Sequence, residues 1–165
     1  MRLLAKYGMN PRFSPDGSLV AYWVGAVNVV STIPGNGEVW VIPATGGQPW
    51  RIGANFTNAR YPIWSPDGKQ LLLVGYASDK LSDSSAIDWW HVPINGDPAT
   101  KTGLYDALSH AHLQSRENPS MVSATYPNVP TPGCWLASTN GVIFSPRNGD
   151  TQSLWETGIS PRTGR

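Results

Sequence analysis

The sequence predicts an all-β chain assembled from repeated four-stranded antiparallel units, and three observations carry that prediction. Blocks of sequence recur at one spacing, turn-forming residues punctuate the chain at short intervals, and charge is scarce. Of 165 residues 17 are Gly and 15 are Pro, together about a fifth of the chain where average usage gives roughly an eighth. Charged residues make up 14%, against roughly 25% in an average soluble chain. Eight Trp argue against an unstructured chain, because disordered segments are poor in aromatics. The length is that of one domain and suffices to bury a core.

The repeat orders the elements. Pro11-Arg12-Phe13-Ser14-Pro15-Asp16-Gly17 recurs as Pro62-Ile63-Trp64-Ser65-Pro66-Asp67-Gly68, 51 residues further on. Pro15 and Pro66 preset the second position of a type I turn, and Asp16 and Asp67 suit the third. Gly17 and Gly68 supply the left-handed residue that closes a bulged hairpin. The apolar runs that follow, 19–24 and 71–74, are then strands paired with the runs before the turns. Residues 39–49 match 89–98 at an offset of 50. Within them Thr45-Gly46-Gly47 and Asn95-Gly96-Asp97 mark turns into fourth strands at 50–52 and 99–102. Four short strands in about 50 residues make the unit of a β-propeller blade. Such sheets bury their faces by stacking, and Trp40, Trp64, Trp90, Trp135 and Trp155 are the large residues expected between them.

A third unit is displaced. Strands are expected at 134–136, 141–145 and 153–156, with Trp135 and Trp155 in the places of Trp64 and Trp90. Another register aligns Phe144-Ser145-Pro146 with Phe13-Ser14-Pro15. Leu104, Ala107, Leu108 and Ala111 follow i, i+3, i+4, i+7 and predict a short amphipathic helix over 104–115. Residues 117–133 carry four prolines and read as a long loop. The organisation is therefore one partial propeller over 1–165, with units at 11–52, 61–103 and 133–165 and an insertion at 104–132. Closed propellers have roughly 4–8 blades, whereas three leave an open arc with raw edges that invite pairing. The expectation is a fragment of a longer protein, with association of copies through those edges as the alternative.

No catalytic, cofactor or metal residues are assigned. Asp16 and Asp67 read as turn residues held by their Pro and Gly neighbours. His110 and His112, two apart, do not share a helix face. His91 points away from Trp90 and Val92 on its strand, either as a satisfied structural histidine or toward a channel. Cys134 excludes an internal disulfide framework and a Cys-based zinc site, and reads as a small buried hydrophobe. Asp79, Asp83 and Asp88 read as scattered carboxylates of a polar loop spanning 78–85, a solvated loop first and a weak cation site as the alternative. Asn55-Phe56-Thr57 fits a glycosylation sequon, which has meaning only in a secreted eukaryotic protein. Neither a Gly-x-Ser-x-Gly elbow nor a Gly-rich phosphate loop with its lysine occurs. A net charge of +1 removes the electrostatic case for nucleic acid or an anionic membrane. Lys6 and Asn10 cut the first residues short of a signal-peptide core, and the run 19–33 is too polar and β-branched for a membrane helix.

The Ser-Pro-Asp-Gly hairpin, the Trp40-Val41-Ile42-Pro43 strand with its Gly46-Gly47 turn, and the period near 50 resemble blades of TolB-type, WD-repeat-like β-propellers. The stretch from Val142 to Gly164, with Phe144-Ser145-Pro146-Arg147, Leu154-Trp155-Glu156 and Ser160-Pro161-Arg162-Thr163-Gly164, resembles blades appended to bacterial serine/threonine kinases and winged-helix regulators. The resemblance covers nearly the whole chain outside 104–133. It implies a ring of about six blades, no cofactor, and protein contacts or ligand sensing rather than catalysis, with an extracytoplasmic or periplasmic setting. The alternative it implies is the substrate-gating propeller of a prolyl-oligopeptidase-like serine peptidase, whose catalytic domain would lie outside these residues.

Overall fold

The computed structural model describes residues 1–25, 37–77, 86–111, 113, 129–148 and 151–159. The first sheet is a meander of β1 (Met9–Phe13), β2 (Leu19–Val24), β3 (Glu38–Pro43) and β4 (Trp50–Ile52). The second repeats it with β5 (Asn58–Trp64), β6 (Gln70–Tyr76), β7 (Ile87–Pro93) and β8 (Thr100–Lys101). Helix α1 (Leu104–His110) follows, and then β9 (Pro132–Trp135) and β10 (Gly141–Phe144). A small hairpin of β11 (Arg147–Asn148) and β12 (Thr151–Gln152) precedes β13 (Trp155–Gly158). β9, β10 and β13 form the third sheet with β10 in the middle. The hairpin between β10 and β13 is an element that the spacing does not predict.

The repeated hairpins form for the reasons their residues suggest. Gly17 and Gly68 have φ of 73° and 69°, a region open to glycine at no steric cost. The Gly17 amide donates to the Ser14 carbonyl at 2.8 Å and the Gly68 amide to that of Ser65 at 2.9 Å. A second repeated device lies in the first strands. The pairing of β1 with β2 slips between Met9 and Arg12, and that of β5 with β6 slips between Arg60 and Ile63. Asn10 and Tyr61, 51 residues apart, take φ of 48° and 55° at these bulges. Asn10 Oδ1 there accepts the Trp23 indole N–H at 3.0 Å, and the Tyr61 ring meets Trp23 edge-on at 5.5 Å.

Strand alternation sends successive side chains to opposite faces, and that parity builds two cores. Ala21, Trp23, Val39 and Val41 of the first sheet close on Trp64, Leu71, Leu73 and Val92 of the second. Ile63, Leu72 and Trp89 on the other face of the second sheet close on Leu104 and Leu108 of α1 and on Val142 and Phe144 of the third sheet. The three sheets are blades stacked face to face in an open arc. Two interactions pin the stack. The Trp64 indole donates to the Arg12 carbonyl of the first blade at 2.9 Å, and the Trp89 ring stands perpendicular to Phe144 of the third at 5.5 Å.

The tryptophans divide accordingly. Trp64 and Trp90 lie between the first two blades and Trp135 packs between the second and third. Trp40 instead faces away from the second blade, on the outer side of the first. Trp155, opposite Phe144 on an edge strand, is 45% exposed. The most deeply buried tryptophans are Trp23 and Trp89, at 2% and 0% exposure.

Helix α1 ends at His110, with Leu104 and Leu108 buried and Ala107 and Ala111 exposed, so its apolar stripe is narrower than the spacing predicts. Residues 112 and 114–115 of the expected helix lie outside the described residues. Asp88 is no loop carboxylate: it sits on β7 at 3% exposure. Its oxygens accept from the Gly103 and Tyr105 amides at 2.8 and 3.1 Å and from Thr102 Oγ1 at 3.1 Å. It thereby supplies from a neighbouring strand the acceptors that orphan amides at a helix start require. Asp79 and Asp83 lie outside the described residues.

Candidate functional site

The turn carboxylates are held by hydrogen bonds within their own turns. Asp16 Oδ1 accepts from Ser14 Oγ at 2.6 Å, the Ser18 amide at 3.0 Å and Ser18 Oγ at 2.9 Å. Those hydrogen bonds, Ser14 first, hold its pKa down to about 2. Asp67 accepts from Ser65 Oγ at 2.6 Å and the Lys69 amide at 3.1 Å, and its pKa is lowered for the same reason.

His91 points away from Trp90 and Val92, into the space between the second and third blades, at 2% exposure with its ring 5.3 Å from Trp135. Neither ring nitrogen has a hydrogen-bond partner, so it is a buried histidine without the satisfied hydrogen bonds expected of a structural one. Burial pushes its pKa down. His110 is exposed, with Nδ1 against the Asp106 carbonyl; His112 lies outside the described residues. Cys134 is exposed rather than buried, because it lies opposite Ile143 on the third sheet, while Val142 and Phe144 turn to the core. Phe56 of the sequon is buried at 4%. Among the described residues no three His, Cys, Asp or Glu side chains gather closely enough to hold a metal ion, and no helix is long and apolar enough to cross a membrane.

The concave feature sequence reasoning missed is a groove of about 580 Å³ between the first two blades, within the few-hundred-to-thousand Å³ range of ligand sites. β4 and the turn at 94–98 form its banks, and Phe56, Trp90 and Val92 its apolar floor. The floor is shaped by close approach. Phe56 and Trp90 meet edge to face at 5.1 Å, and a Cβ on Gly75 would lie 2.7 Å from Phe56 and 2.9 Å from Trp90. The Trp90 indole N–H is spent on the Gly75 carbonyl at 3.0 Å. Arg51 on one bank pairs with Glu38 at 3.2 Å and donates to the Phe56 carbonyl at 3.2 Å. On the other bank Asn95 and Asp97 bond to each other. The groove thus has an aromatic bottom, a half-exposed Trp50 at its edge, and polar groups of both signs around it.

Stacked antiparallel sheets, two of which open on a Ser-Pro-Asp-Gly hairpin, make an all-β, TolB-like β-propeller fold, present as a partial ring. The crystal structure of TolB from Acinetobacter baumannii superposes with a TM-score of 0.53 over 94% of this chain and 30% of that chain, at 14% identity. A stretch of 94 residues, 55% of this chain, is 37% identical to tricorn protease homolog 1 of Streptomyces coelicolor and spans 8% of that protein. No protein-family model matches the sequence.

Proposed function

We propose that these blades form a non-catalytic binding module, a protein-interaction or ligand-sensing segment of a larger bacterial signalling protein. The observation that carries the reading is the inter-blade groove, with its aromatic floor of Phe56 and Trp90 and its mixed polar rim. Asp16, Asp67, Asp88 and His91 are committed to turns, to a helix start or to a buried interface, and the reading is one of recognition rather than acid–base chemistry. Selection of phage-displayed peptides on the folded chain tests this. Enriched peptides should lose at least about tenfold in affinity with Trp50→Ala or Asp97→Lys, a loss of about 1.4 kcal/mol, while Tm stays within a few degrees. Peptides that bind both variants unchanged would remove the groove from the function.

A second reading is favoured by one observation, the match to a protease homologue. In it the blades belong to a peptidase, as a propeller that admits substrate to a catalytic domain elsewhere in the polypeptide. Groove-selected peptides that are also cleaved by the full-length protein would favour this reading over the first.

A further inference from the structure

Of the four Asn-Gly pairs in the sequence, two have both members among the described residues, Asn95-Gly96 and Asn140-Gly141. Such a pair carries its own chemistry. The glycine amide nitrogen can attack the side-chain carbonyl carbon of the asparagine, and glycine has no Cβ to hinder the approach. The fold treats the two pairs in opposite ways. Asn140-Gly141 is locked. Asn140 Oδ1 accepts the Trp135 indole N–H at 3.0 Å, and Nδ2 donates to the Ile159 carbonyl at 2.6 Å. The Gly141 amide donates to Thr139 Oγ1 at 3.2 Å. Gly141 itself is buried at the start of β10, opposite Gly158 of β13. Swinging its nitrogen onto Asn140 would break these bonds and the strand pairing.

Asn95-Gly96 carries none of those restraints. Asn95, Gly96 and Asp97 are all exposed, in the turn between β7 and β8. Gly96 has a φ of 92°, and nothing lies within 4 Å of where a Cβ would stand. Its amide has no hydrogen-bond partner among the described residues. The Asn95 side chain is held through Asp97: Nδ2 donates to Oδ2 at 2.8 Å, and Oδ1 accepts the Asp97 amide at 3.1 Å. Both bonds lie in solvent, where water replaces them at little net cost.

We propose that Asn95-Gly96 is a self-modifying site, converted by water to an isoaspartyl or aspartyl residue on the bank of the groove, while the fold protects Asn140-Gly141. The Gly96 nitrogen gives its proton to solvent and bonds to Cγ of Asn95. The Cγ–Nδ2 bond breaks, and Nδ2 takes up a proton and leaves as ammonia. Water then opens the cyclic imide, at the main-chain carbonyl to give isoaspartate or at Cγ to give aspartate. One water is consumed, one ammonia is released, and nothing is oxidised or reduced. Either product sets a second carboxylate beside that of Asp97 in place of a donating amide, and like charges that close disfavour each other. Conversion therefore loosens the 94–98 bank. The proposal goes beyond the binding-module reading and does not depend on it, since both of its readouts are taken without a ligand.

Peptide mapping by mass spectrometry tests it on the folded 165-residue chain incubated in mildly alkaline buffer. The peptide holding Asn95 should gain the mass of an amide-to-acid change at least about tenfold faster than the one holding Asn140, a barrier difference of about 1.4 kcal/mol. In urea the two rates should come together. Hydrogen exchange at the Asp97 amide should be faster in the converted chain than in the fresh one. Asn95→Ser, which has no amide to lose, should show no such rise on incubation. The proposal is overturned if Asn140 converts as fast as Asn95 in the folded chain, if neither converts, or if the gap persists in urea. It is also overturned if exchange at Asp97 is unchanged by conversion, or if Asn95→Ser shows the same rise.

Discussion

At the scale of residues, position in the strand decides what a tryptophan contributes. Trp89 and Trp90 are neighbours in sequence, yet Trp89 is fully buried against the third blade and Trp90 floors the groove against the first. Trp89→Ala should therefore cost about 3–5 kcal/mol, as large-to-small changes in cores do. Trp155→Ala, on a 45% exposed ring, should cost less than about 1 kcal/mol; urea unfolding of both variants checks the contrast. His91 makes a prediction of opposite sign. Its folded pKa lies below the ordinary histidine value of 6.5, so below about pH 6.5 the unfolded chain binds a proton that the folded chain refuses. Stability should fall as pH drops from 7 to 5, and His91→Leu should flatten that fall. The same substitution should be neutral or stabilising by up to about 2 kcal/mol at pH 7, since it removes two unpartnered polar atoms from the core. The Asp16 contribution is separable, because its pKa of about 2 confines the loss to acid below about pH 4.

At the scale of elements, the hairpins were legible because their chemistry is local: Pro, Asp and Gly dictate the turn whatever packs around it. In the third unit Trp135 packs against the second blade, whereas Trp155 stands 45% exposed on an edge strand. What was not legible depends on partners distant in sequence. Asp88 reads as a loop acid until Gly103 and Tyr105 are folded onto it, and the helix stripe narrows because Leu104 and Leu108 are buried while Ala107 and Ala111 stay exposed. The groove is invisible in sequence for the same reason, being made of β4 and a turn more than forty residues later. A measurable consequence follows for α1, whose start is held by Asp88. Asp88→Ala removes the acceptors of four donors, the Trp89, Gly103 and Tyr105 amides and Thr102 Oγ1, and should cost about 1–3 kcal/mol. Hydrogen exchange should show the loss concentrated in 103–110, with the β2–β3 amides nearly unchanged.

At the scale of the whole molecule, the central claim is that three sheets stack as consecutive blades, with separate cores on the two faces of the second. A fold built from nearest-neighbour interfaces gains stability from each interface in turn, so the inter-blade contacts decide whether the arc exists at all. Proton–proton NOEs from the tryptophan rings measure them most directly. The account predicts cross-peaks between Trp23 and Tyr61 and between Trp89 and Phe144, pairs whose ring centroids lie 5.5 Å apart across the two interfaces. Strong cross-strand NOEs within each sheet, without either of these inter-blade pairs, would contradict it.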